Sequence, residues 1–111
     1  MNGKEVFTFA VSKVPEAIKT LLYREKISYG DIRYYLLHQA NERIIRSAAR
    51  RLREDISKFP MTMERYGNTS SASLLILLDE VKKSGKLQKG DKLVLAGFGG
   101  GLTYGASLIE Y

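Results

Sequence analysis

The run Ser73-Leu74-Leu75-Ile76-Leu77-Leu78, passing into Asp79-Glu80-Val81-Lys82-Lys83-Ser84-Gly85, constrains the fold more than any other stretch of the chain. It reads as a helix with a glycine stop. Near its middle this helix is apolar on every side, so it must be covered all round instead of lying on a surface. Its place is central, and the remaining segments must supply the layers around it.

Those segments alternate in period. Phe7, Ala10, Val11, Val14, Ile18, Leu21 and Leu22 recur near helical spacing, which predicts an amphipathic helix over residues 6–25, perturbed at Pro15. After a turn at 28–31, Tyr34-Tyr35-Leu36-Leu37 fits a buried strand that delivers His38 at its C-terminal end. Asn41 suits an N-cap for a helix reaching residue 53, with Ile45, Ala48 and Leu52 on one face and Arg43, Arg46 and Arg50 on another. Residues 59–65 form a further strand candidate. Residues 92–98 read as a fully buried strand and 102–111 as another, joined through Gly99-Gly100-Gly101. The order is α-β-α-β-α-β-β, without repeat, low-complexity tract or linker, which makes one domain.

Composition narrows the chemistry. With 44% hydrophobic and 27% charged residues in 111, the chain is globular rather than disordered. No cysteine and a single histidine exclude disulfides and argue against a metal site. No stretch approaches the roughly 20 apolar residues of a membrane span, and the first residues lack a signal-peptide layout; a cytoplasmic protein is expected. The net charge of +6 points to an acidic partner, which charge alone does not identify.

The only histidine sits in His38-Gln39-Ala40-Asn41, thirty residues ahead of Asn68 in Gly67-Asn68-Thr69-Ser70-Ser71-Ala72-Ser73. A neutral imidazole and a carboxamide both donate hydrogen bonds. Two such donors aimed at one thioester carbonyl stabilise the charge that develops as a carbon–carbon bond is made or broken. Each residue also has a plainer reading. A lone histidine after a strand is more often structural, Asn68-Thr69-Ser70 makes a helix cap, and the glycine run makes a hairpin turn without the ending of a phosphate loop. The arginine stripe is then a solvated face, and the basic residues show no interleaved aromatic platform for nucleic acid.

Taken together, His38-Gln39-Ala40-Asn41, Arg65-Tyr66-Gly67-Asn68-Thr69-Ser70-Ser71-Ala72-Ser73, Leu78-Asp79-Glu80, Gly97-Phe98-Gly99-Gly100-Gly101 and Thr103-Tyr104-Gly105-Ala106 resemble the C-terminal half of 3-oxoacyl-acyl-carrier-protein synthase III. The motifs occur in the family's order across nearly the whole chain. The resemblance implies an α/β chain forming the C-terminal half of a thiolase-like αβαβα fold, a mixed sheet with helices on both faces. The N-terminal half, with its nucleophilic cysteine, would be absent from these residues.

In that family a cysteine takes an acyl group from acyl-CoA and passes it to the carbanion formed when malonyl-acyl-carrier-protein loses carbon dioxide, which initiates fatty acid synthesis. The resemblance assigns His38 and Asn68 to the malonyl thioester oxygen and the Gly100 backbone N–H to the oxyanion hole of the acyl-cysteine. It places Gly3, Phe7, Asn41 and Ile44 along the pantetheine tunnel, and Arg43, Arg50 and Arg51 where acidic carrier protein docks. Thr8 departs from the lysine common in the family, so the docking patch is smaller or shifted. Acyl-CoA and malonyl-acyl-carrier-protein are substrates here; no cofactor, metal, nucleic acid or membrane is implied. Carrier protein, coenzyme A thioesters, the enzyme's own N-terminal half and a second copy in a homodimer are the implied partners. The alternative is a non-catalytic remnant or fragment that keeps only a carrier-protein or CoA contact surface.

Overall fold

A computed structural model describes residues 3–38, 42–61, 73–99 and 103–111. Helix α1 (Gly3–Glu25) leads through a short 3-10 turn into strand β1 (Ile32–Leu37); α2 (Glu42–Leu52) follows, then a second 3-10 turn, α3 (Ser73–Lys83), β2 (Lys92–Gly99) and β3 (Thr103–Glu110). The three strands form one mixed sheet in the order β1-β2-β3, with β1 parallel and β3 antiparallel to β2.

Side-chain alternation along the strands sorts the core into two layers. On one face Tyr35 and Leu37 of β1, Val94 and Ala96 of β2, and Ala106 and Leu108 of β3 pack with Ala10, Val14, Ile18 and Leu22 of α1 and Ile44, Ile45, Ala48 and Leu52 of α2. On the other, Tyr34, Leu36, Leu93, Leu95 and Ile109 pack with Leu74, Leu77, Leu78 and Val81 of α3. Helices on both faces explain why Leu93-Val94-Leu95-Ala96 is continuously apolar: both faces of β2 are covered, with Leu95 left only partly buried. Ile32 shares a face with Tyr35 rather than with Tyr34, because the β1–β2 register shifts between Ile32 and Tyr34.

The helix expected over 6–25 forms as α1 with Pro15 inside it, since Val14 and Ile18 on either side are buried at 2% and 0% exposure and their packing holds the turn that Pro15 weakens. One expectation changes. The strand expected at 59–65 is not formed at 59–61, the part within the described residues; Ile56–Lys58 is a 3-10 turn instead. Phe59 is buried for another reason. Its ring stacks on Tyr35 at 4.7 Å between centroids and 9° between planes, filling the core as a single side chain.

α1 and α2 end alike. Lys26 and Arg53 both adopt left-handed backbone, each at φ 57°. Ile27 N–H then reaches the Leu22 carbonyl and Glu54 N–H the Ala49 carbonyl, each at 3.0 Å, completing the 6→1 bond of a Schellman cap. α3 buries Leu77 at 0% and Val81 at 6% exposure, while Ile76 stays half-buried. The sheet therefore covers one side of this helix, and its all-round apolar character is only partly satisfied.

Candidate active site

The site begins with strand direction. β1 and β2 are parallel, so their C-terminal ends lie at one edge of the sheet, where open α/β sheets present their binding crevices. The last paired residues are Leu37 and Ala96, and one step further the His38 N–H donates to the Ala96 carbonyl at 3.0 Å. His38 is thereby held at the sheet edge. Period-two alternation places it with Tyr34 and Leu36, on the face that α3 covers.

α3 begins at that same edge. Leu74 Cδ1 lies 3.6 Å from where a side chain on Gly97 would start, so the first turn of the helix sits beside the end of β2. β2 continues past His38's partner through Gly97, Phe98 and Gly99, which pair with Gly105, Tyr104 and Thr103 of β3. β2 thus ends, and β3 begins, at the edge that carries His38. Asn68, Gly100 and Asn41 lie outside the described residues, as does the side chain of Phe7, while Gly3 opens α1.

Electrostatics suit the histidine to donate as a neutral group. His38 is half-buried, and burial lowers its imidazole pKa below the ordinary 6.5 by disfavouring the cation. At neutral pH the ring carries one N–H and one lone pair. Among the described residues no cluster of His, Asp or Glu is arranged to hold a metal ion, and no described helix is long and apolar enough to cross a membrane.

A model of the 3-oxoacyl-acyl-carrier-protein (ACP) synthase III C terminal matches residues 22–111. The chain belongs to this family. It is 47% identical over its whole length to the beta-ketoacyl-acyl-carrier-protein synthase III of Clostridium beijerinckii, and covers 34% of that protein. To the enzyme of that name from Lactobacillus delbrueckii subsp. bulgaricus it is 51% identical over 99% of its length, again 34% of the relative. The chain therefore spans about a third of the curated relatives it matches. Among solved structures, the synthase III of Aquifex aeolicus superposes with a TM-score of 0.96 at 38% identity and that of Thermus thermophilus with 0.95 at 39%; each covers all of this chain, which in turn covers 36% and 35% of them. The fold is the C-terminal part of the thiolase-like α/β arrangement expected from the motifs.

The other expected positions fall in α2. Arg43, Arg50 and Arg51 are exposed on its outer surface, where Arg46 also reaches Glu42 at 3.1 Å. Ile44 is 3% exposed and packs in the core between α2, α1 and the sheet. A polar network that sequence reading missed ties α2's end back to β1. The Tyr35 hydroxyl donates to Glu54 Oε2 at 2.8 Å, Lys58 Nζ donates to the same oxygen at 3.0 Å, and Lys58 Nζ also donates to the Tyr29 carbonyl at 3.4 Å. Burial and the Glu54 carboxylate both push the Tyr35 phenol pKa up, which keeps the hydroxyl a donor across the working pH range.

Proposed function

We propose that this chain supplies the His38/Asn68 half of a decarboxylative condensing site, which joins an acyl primer from acyl-CoA to malonyl-acyl-carrier-protein to initiate fatty acid synthesis. The observation that carries the reading is the neutral, half-buried His38 anchored at the carboxyl edge of the parallel strands, beside the glycine-rich end of β2. The thiol nucleophile comes from outside these residues, because the chain holds no cysteine. It resides in the N-terminal half of the same enzyme, and the complete enzyme pairs as a homodimer in the cytoplasm.

The steps follow from charge. The thiolate attacks the acyl-CoA carbonyl and the CoA thiolate leaves, giving an acyl-cysteine. As malonyl-acyl-carrier-protein loses carbon dioxide, the electron pair of the breaking bond moves onto the thioester oxygen. N–H donors from His38 and Asn68 stabilise that enolate, and a neutral imidazole does so without protonating the carbon that must react. The carbanion then attacks the acyl-cysteine carbonyl, whose oxyanion accepts from the Gly100 N–H before the thiolate is expelled. No cofactor enters. Gly3, Phe7 and Asn41 guide the pantetheine arm, with Ile44, buried in the core, supporting them from behind, while Arg43, Arg50 and Arg51 meet the acidic carrier protein.

Residues 1–111 alone then have no condensing activity, and turnover above buffer with acyl-CoA and malonyl-acyl-carrier-protein, lost on His38→Ala, would refute the scheme. A chimera in which this chain replaces the matching third of the Clostridium beijerinckii synthase III is expected to condense.

A further inference from the structure

The β1–α2 unit carries His38 at the end of its first arm, and hydrogen bonds from side chains join its two arms. Tyr29 precedes β1 and Tyr35 lies within it, whereas Glu54 and Lys58 follow α2. One carboxylate oxygen of Glu54 accepts from both Tyr35 and Lys58, and Lys58 returns to the Tyr29 carbonyl, so a single polar chain ties both arms. The tie is sheltered. Side-chain exposure at Glu54 and Lys58 is 13% and 27%, and Phe59 stacks on the Tyr35 ring.

From this geometry we infer that Tyr35 and Glu54 are positioning residues for His38: their hydrogen bond fixes the twist of β1 and the return of α2, and so holds the backbone that presents the imidazole. The inference deepens the proposed role of His38, although its test needs no catalysis. Tyr35 stands three residues before His38 on the same strand and points to the opposite face, so rotation of β1 about its axis would swing both side chains together. The β1–β2 ladder resists that rotation from one side, and beyond Leu37 the His38 N–H to Ala96 bond continues it. The Glu54 tie resists it from the α2 side. Arg53 in left-handed backbone and the 3.0 Å bond from Glu54 N–H to the Ala49 carbonyl fix where the carboxylate leaves the helix, which makes the link stiff at both ends.

Amide hydrogen exchange on the 111-residue chain reads the effect directly. In Tyr35→Phe and in Glu54→Ala, protection of the His38 amide is expected to fall about tenfold, the equivalent of one lost hydrogen bond, relative to amides paired between β2 and β3. The imidazole Cε1–H resonance of the chain's one histidine should broaden or double in both variants. Glu54→Gln keeps an acceptor for the Tyr35 hydroxyl and is expected to restore the parent pattern. Leu52→Ala removes core packing without touching the network, and should lower all protected amides alike. If Tyr35→Phe and Glu54→Ala also lower every amide by one factor, or leave His38 unmoved, or if Glu54→Gln exchanges as fast as Glu54→Ala, the inference is overturned. Since exchange does not depend on condensation, an inactive chimera would count against the catalytic reading and leave this result standing.

Discussion

The His38 N–H donates to the Ala96 carbonyl at 3.0 Å, one residue beyond the last paired position of the two parallel strands. That bond places the chain's one histidine at the sheet edge with its ring half-buried, and burial lowers its pKa. In the unfolded chain the imidazole titrates near its ordinary 6.5. As pH falls below 6.5 the unfolded state takes up a proton that the folded state resists, so stability is complete above 6.5 and is lost as pH drops through the folded value. Thermal melts from pH 8 to 5 should fall more steeply for the parent than for His38→Gln. Parallel curves, or a histidine titrating above 6.5 by NMR, would contradict this.

Lys26 and Arg53 end α1 and α2 in left-handed backbone, where a Cβ costs about 1–2 kcal/mol and glycine pays back only part in unfolded-state entropy. Lys26→Gly and Arg53→Gly are each expected to stabilise by about 0.5–1 kcal/mol, read as a higher urea midpoint at unchanged slope. A lower midpoint would mean that these side chains contribute more than their backbone strain.

Phe59 is 2% exposed and stacked on Tyr35. Phe59→Ala should cost about 3–5 kcal/mol, and Tyr35→Phe under about 1 kcal/mol of global stability, because Lys58 still donates to Glu54 Oε2. Chemical denaturation of both variants checks the order. Equal losses, or a smaller one at Phe59, would show that the ring is not a core plug.

These last residues mark where sequence reading stops. The strands at 32–37 and 92–99 were readable because helices cover both faces and leave unbroken apolar runs such as Leu93-Val94-Leu95-Ala96. The arginine-bearing face of α2 followed from its period, and so did the delivery of His38 at a strand's end. Residues 59–61 misled because Phe59 is buried as a lone side chain, which looks like the start of a strand when only neighbours along the chain are weighed. The Tyr35–Glu54 bond spans nineteen residues and obeys no period, so nothing local announces it. α1 keeps Pro15 inside it, because the buried row Ala10, Val14 and Ile18 outweighs a local penalty of about 3 kcal/mol. Asn68 and Gly100 rest on their motifs alone, since both lie outside the described residues.

The α2 surface offers a separate test of partner choice. In the chimera, replacing Arg43, Arg50 and Arg51 with glutamate is expected to weaken binding of acidic carrier protein and flatten its salt dependence, with little change in turnover of carrier-free substrate. Arg46 already pairs with Glu42 on the same helix, so Arg46→Glu should weaken binding less. Unchanged affinity and salt slope in the triple variant would leave the stripe as a solvated face.

The most direct measurement is release of carbon dioxide from malonyl-acyl-carrier-protein by the chimera and by its His38→Ala and Asn68→Ala variants. In the proposed scheme each substitution removes one donor to the enolate oxygen, and it is expected to slow release about 10²–10³-fold, with the acyl-cysteine still forming from acyl-CoA. Release within about threefold of the parent in either variant, a loss of less than roughly 1 kcal/mol of transition-state stabilisation, would contradict the account of His38 and Asn68 as paired enolate donors.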